Sequence, residues 1–354
     1  MTARHLRLAI VAAALLGACN TTYDNPFANS NPTVAPRTDA TIVYTSNGYA
    51  ARPGSPDELF AVGDGGAGVT RLTFCNNDTR RCASIEAAPA PDRSRVALRR
   101  VDADANRDGQ LTPADGEALL VVDLARGVEG GLLQSNAKVS GIDWSPTGDV
   151  LVYSAAGEGG IEDLYRADPN GQNTRNLTCP PPAATGAPSC DSRVRERRPR
   201  IDPSGSAALY ERIDVDGKGQ IWLFSSTGAQ VRVTTGGDGG APLAGTPYVV
   251  GSDADPDYSP DGRSLVFRRL TGTGNGGLGT WDLMTAKLDV TGVTTIVTGA
   301  AFRGAPDWGP KGIIFPESDS ASSRLVLVQP DGSGRQVLVT LGSAFDISYP
   351  RWLP

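Results

Sequence analysis

Residues Asp104-Ala-Asn106-Arg-Asp108-Gly109-Gln110-Leu111-Thr112-Pro-Ala-Asp115 place oxygen-bearing side chains at a spacing that suits a hard cation. Oxygens stand at positions one, three and five, glycine at six, a backbone carbonyl at seven, an apolar residue at eight and a carboxylate at twelve. Ca²⁺ needs six or more hard oxygens wrapped in a tight turn, and Gly109 permits that turn. The pattern predicts a calcium site with Asp104, Asn106, Asp108, Gln110 and Asp115 as ligands, in a structural rather than a regulatory role. The competing reading is an acidic, solvated turn. A second run, Asp214-Val-Asp216-Gly217-Lys218-Gly219, puts a lysine where a ligand belongs and reads as a turn only.

For covalent and acid–base chemistry the inventory is thin. The chain has one histidine, His5, so histidine-based triads and dyads have little to draw on. No Gly-x-Ser-x-Gly elbow occurs. Chemistry that needs only two carboxylates, as in polysaccharide hydrolases or lyases, remains open. A net charge of −6 without a clustered basic run argues against a nucleic-acid surface.

The elements that must carry these residues are short strands. Pro256–Arg269 reads as a strand, a Ser-Pro-Asp-Gly turn and an alternating strand, and related stretches surround Pro91, Pro146, Pro203, Pro310 and Pro354. Each unit continues with a third strand (Asp163–Arg166, Gln220–Phe224, Trp281–Leu288, Arg324–Val328). After a turn comes a fourth (Arg175–Thr178, Val231–Thr234, Thr294–Val297, Gln336–Thr340). A period near fifty with four strands per unit describes propeller blades. The last unit ends after its first strand. The strands it lacks are supplied from the front by Thr41–Thr45, Glu58–Val62 and Val69–Phe74. The prediction is an all-β, six-bladed propeller over residues 39–354, with one blade shared between the two ends of the chain.

The repeats resemble the TolB-type propeller family. Trp144-Ser145-Pro146-Thr147-Gly148, Leu164-Tyr165 and Leu177-Thr178 carry the likeness, which covers about residues 39–354. No counterpart is expected here of the α/β domain that precedes the propeller in TolB, so the resemblance implies a fold and not a partner. The acidic loop resembles an EF-hand loop with Asp115 in place of the usual glutamate, as in dockerin-type loops. Its neighbours Arg95–Val101 and Ala118–Asp123 read as strands, which puts the loop between the second and third strands of its blade.

Three residues before each turn proline stand Ala88, Asp143, Arg200, Asp257, Asp307 and Arg351. First strands ring a propeller's axis, so these six should be neighbours. Opposite charges then alternate at Asp143/Arg200, Arg200/Asp257 and Asp307/Arg351. Ion pairing between blades is one account, because buried charges persist when paired; a polar channel mouth for a peptide or small ligand is the other.

At the front, Arg4 and Arg7 precede the apolar run Leu8–Leu16, which is too short to span a bilayer. Leu16-Gly17-Ala18-Cys19 then resembles a bacterial lipoprotein signal. That resemblance implies cleavage after residue 18 and a diacylglycerol on Cys19. Loss of residues 1–18 removes His5 and two arginines and leaves a charge of −8. Residues 19–38 read as a flexible tether. In an oxidising compartment the four remaining cysteines are expected to form the local pairs Cys75–Cys82 and Cys179–Cys190. The resulting expectation is a monomeric, lipid-anchored envelope protein, with the outer membrane favoured by Asn20. It would work as a scaffold for a protein partner and not as an enzyme. The alternative is a calcium-dependent carbohydrate-binding protein, or a carboxylate-based polysaccharide hydrolase or lyase.

Overall fold

The computed structural model describes residues 35–47, 56–74, 82–137, 139–156, 160–179, 193–274, 279–302 and 304–354. These form six four-stranded antiparallel sheets. Blade 2 holds β4 (Ala83–Pro89), β5 (Arg95–Val101), β6 (Glu117–Asp123) and β7 (Val128–Ala137). Blade 3 holds β8 (Val139–Trp144), β9 (Leu151–Ala156), β10 (Glu162–Ala167) and β11 (Arg175–Asn176). Blade 4 holds β12 (Arg195–Ile201), β13 (Ala207–Ile213), β14 (Gly219–Ser225) and β15 (Gln230–Arg232). Blade 5 holds β16 (Asp253–Tyr258), β17 (Ser264–Gly272), β18 (Thr280–Lys287) and β19 (Thr294–Ala300). Blade 6 holds β20 (Asp307–Gly309), β21 (Gly312–Ser318), β22 (Ser322–Val328) and β23 (Gln336–Gly342).

Blade 1 is composite. β24 (Ile347–Trp352), from the end of the chain, pairs with β1 (Ile42–Ser46), which pairs with β2 (Glu58–Val62) and then β3 (Thr70–Arg71). The ring therefore closes with main-chain bonds between strands some three hundred residues apart, and no inner edge is left exposed.

Each first hairpin turns as its residues dictate. At Ser259–Gly262 the Gly262 amide donates to the Ser259 carbonyl over 2.8 Å. The Ser259 hydroxyl bonds Asp261 and accepts from the Ser264 amide. Gly262 takes φ +68°, and a β-carbon there would sit 3.3 Å from Pro203 of the preceding blade's turn. Turn and neighbouring blade thus demand glycine together. Apolar clusters fill the seams between blades. One of them joins Ala88, Ala97 and Val121 of blade 2 to Trp144, Leu151 and Tyr153 of blade 3.

Candidate functional site

First strands line the axis, and the six residues three before the turn prolines do meet there. Arg351 Nε contacts Asp307 Oδ1 at 2.8 Å, and its Nη2 reaches across blade 2, where the ring residue is only Ala88, to pair with Asp143. Arg200 Nε lies 3.7 Å from Asp257. Asp143 and Arg200 are not directly paired: Arg200 donates instead to the Ile142 and Pro199 carbonyls.

Each ring aspartate also accepts a main-chain amide from the blade after it. Ile201 N donates to Asp143 over 2.8 Å, Trp308 N to Asp257 over 2.6 Å and Trp352 N to Asp307 over 2.7 Å. The ring acids therefore staple neighbouring blades at the axis. Burial and the like charge of Asp307 push the Asp257 carboxyl up to about 8, against the pull of Arg200 and Arg351. Burial also raises Asp307, although Arg351 and Arg200 oppose it.

A second charged layer lies two residues upstream, and sequence reasoning missed it. Its members are Glu86, Gly141, Arg198, Asp255, Ala305 and Tyr349. The signal was one more column of the same repeat alignment. What hid its meaning is a bulge: the ladder slips at this position in the first strands of blades 3 to 5 and opposite Tyr349 in blade 1, and one residue earlier, at Ile85, in blade 2. Gly141, Arg198, Asp255 and Tyr349 have φ of +93°, +52°, +51° and +45°. A bulge re-aims a side chain, and here it turns these residues toward the axis. At Gly141 a β-carbon would lie 2.4 Å from Arg198 Cα, so glycine is obligatory there.

Arg198 Nε meets Asp255 at 2.6 Å, Arg268 pairs with the other Asp255 oxygen, and Arg198 Nη1 lies 3.7 Å from Glu86. Arg99 then bridges Glu86 at 2.6 Å and Glu117 at 2.5 Å. Burial drives the Asp255 and Glu86 carboxyls up, but the guanidiniums outweigh it and hold both below their usual range. Beside this belt Tyr248, from the loop after β15, donates to the buried Glu211 over 2.7 Å, and burial raises the Glu211 carboxyl. Arg197 contacts Glu162 at 3.1 Å. Each of these carboxylates is met by an arginine, a tyrosine hydroxyl or a main-chain amide.

The acidic loop lies between β5 and β6. Asp104 accepts the Asp108 and Gly109 amides (3.1 and 2.8 Å), Asn106 Oδ1 accepts the Asp108 amide (2.9 Å), and Asp108 accepts the Gln110 amide (2.8 Å). Asp115, in a short 3-10 turn, accepts the Asn106 and Thr112 amides at 3.1 and 2.9 Å, and these bonds hold its carboxyl low. Of the expected ligands, Asp104, Asn106, Asp108 and Asp115 thus bond within the loop. Among the described residues no group of three or more His, Cys, Asp or Glu side chains converges to hold a metal. Asp214–Lys218 forms a tight hydrogen-bonded turn. Cys19, Cys75 and Cys190 lie outside the described residues.

The structure is similar to TolB from Acinetobacter baumannii, with a TM-score of 0.62 and 18% identity over 90% of this chain and 68% of that one. A putative TolB from Agrobacterium tumefaciens gives 0.54 and 16% over 89% and 99%. The fold is that of a TolB-like propeller. No family model and no curated protein matches the sequence, so the likeness rests on fold. Among the described residues the TolB-like propeller is the only folded unit.

Proposed function

We propose that this TolB-like propeller is a protein-interaction module of the bacterial envelope, tethered through a lipid on Cys19. The observation that carries the reading is the state of the axis. The named acids there are committed to arginines, a tyrosine or blade-stapling amides, which leaves no free carboxylate pair of the kind that acid–base hydrolysis needs. A propeller that spends its buried charges on holding itself rigid offers its surface to partners. Crosslinking in intact cells followed by affinity capture tests this: a reproducible envelope partner is expected, and capture of no specific protein would overturn the reading. Fatty-acid labelling that Cys19→Ser leaves intact would remove the anchor.

Two further elements belong to the same proposal. Asp104, Asn106, Asp108, Gln110 and Asp115 bind Ca²⁺ as a structural brace between β5 and β6, supported by residue types and spacing. Cys75–Cys82 and Cys179–Cys190 form local disulfides, each worth about 2–3 kcal/mol in the chain-entropy account. Peptide mapping without reductant should recover those two linked pairs and no cross-pairing.

A further inference from the structure

Five of the six seams between neighbouring blades are closed by apolar side chains. One cluster each joins blades 1 and 2, 2 and 3, 4 and 5, 5 and 6, and 6 and 1. The seam between blades 3 and 4 opens instead into a cleft of about 630 Å³.

Strand register gives the reason. In every blade the axial ring residue heads a lateral row of paired residues, and directly opposed residues lie on one face of the sheet. The third residue of that row is Ala61, Val121, Leu223, Thr285 or Leu327 in the other five blades. In blade 3 it is Arg166, and the fourth is Arg175, directly opposite it across β10 and β11. No other blade has a charged residue at either place. Like charges in direct opposition weaken a sheet, and neither guanidinium has a hydrogen-bond or ion-pair partner among the described residues. The acid in the cleft, Asp149, has its carboxylate engaged by the Thr147 and Ser145 hydroxyls and also feels the charge of Arg166; one acid against two guanidiniums leaves one positive charge over.

We propose that this cleft is a binding site for a small organic anion, a carboxylate or phosphate carried on an apolar body. Two adjacent guanidiniums match the oxygens of such a group in bidentate fashion. Behind them Val152, Ile201, Ala208 and Phe224 supply an apolar floor. Toward the axis the bond from Ile201 N to Asp143 ties the two blades together. Its volume falls in the range of small-molecule pockets. The two guanidiniums repel each other across the sheet, and an anion between them relieves that repulsion. The site is separate from the axis, and the inference does not rest on the protein-interaction reading.

The test is calorimetric titration of the full chain with phenyl phosphate, phenylacetate and neutral benzyl alcohol. At least one of the two anions should bind, at least about tenfold more tightly than the alcohol, and the double variant R166Q/R175Q should lose that affinity by about tenfold or more. Its melting temperature should be equal to or above that of the parent, which separates lost binding from lost folding. Absence of binding by both anions at concentrations of order 10 mM would overturn the site. So would equal affinity for the alcohol, or unchanged binding by the variant.

Discussion

Arg198 and Tyr349 belong to opposite blades, yet Arg198 Nη2 donates to the Tyr349 hydroxyl over 2.9 Å and its guanidinium lies 4.9 Å from the ring centroid. The axis of the propeller is therefore crossed by side chains at this level. Both residues hold left-handed backbone conformations, which persist only where their surroundings enforce them. Arg198 also carries the link between Glu86 and Asp255. Tyr349→Phe removes one hydrogen bond from a charged donor and should cost about 1.5–3 kcal/mol. Arg198→Met strands buried carboxylates and should cost about 3–5 kcal/mol. Urea unfolding measures both, and equal effects from the two variants would contradict the cross-axis account.

The raised carboxyl of Asp257 gives stability a pH dependence whose sign is fixed. In the unfolded chain this group titrates near 4; in the fold it is held up to about 8 by burial and by Asp307. Between those values the folded protein keeps a proton that the unfolded chain has released. Its contribution is complete below about pH 4 and is lost as pH rises toward 8. Glu196, pushed up to about 7 mainly by burial, acts in the same direction. Asp257→Asn keeps the neutral shape at every pH. Stability measured at pH 5 and pH 9 should therefore fall less in the variant than in the parent, and an identical fall in both would show that Asp257 is ionised throughout.

Much of this architecture was legible in the sequence because a propeller is periodic. The blade count, the composite blade and the position of the acidic loop followed from spacing around six turn prolines, and the alternating strands matched their observed partners to within a few residues. The ring of charges was legible for the same reason. Its pairing was not: Ala88 is small, so Arg351 spans its blade to reach Asp143, while Arg200 turns to main-chain carbonyls. Neither choice is encoded in alternation of sign. The second layer escaped because bulges at Arg198, Asp255 and Tyr349 rotate residues that an unbroken strand would direct elsewhere. The Arg166–Arg175 pair escaped because cross-strand register, unlike spacing along the chain, does not follow from sequence.

The calcium proposal makes a separate claim about stability. A cation that binds only the folded chain stabilises it by about 2.7 kcal/mol at a hundred times its dissociation constant. Added Ca²⁺ should raise the melting temperature relative to EDTA, and Asp108→Ala should abolish the difference while leaving the melting temperature in EDTA nearly unchanged. Asp108 is suited to the test because its side chain is exposed and bonds only within the loop. A calcium shift that survives the substitution would place the ion elsewhere.

Closure of the ring depends on the last strand. Trp352 is buried with its indole Nε1 donating to the Gly312 carbonyl over 3.1 Å, and its main-chain amide is held by Asp307 of blade 6. Its ring lies over Gly309, where a β-carbon would come within 2.2 Å of the indole, so residues of two blades are fitted to each other. Trp352→Ala should cost about 3–5 kcal/mol, as for other large buried aromatics. Deleting Ile347–Pro354 should do something different in kind. β1 would lose its inner partner, keep β2, and present an unpaired edge of buried, largely apolar residues, an invitation to edge-to-edge association. Light scattering should show concentration-dependent self-association for the deletion but a monomeric, merely less stable protein for Trp352→Ala. A monomeric deletion variant with unchanged unfolding would mean that the ring does not depend on this clasp.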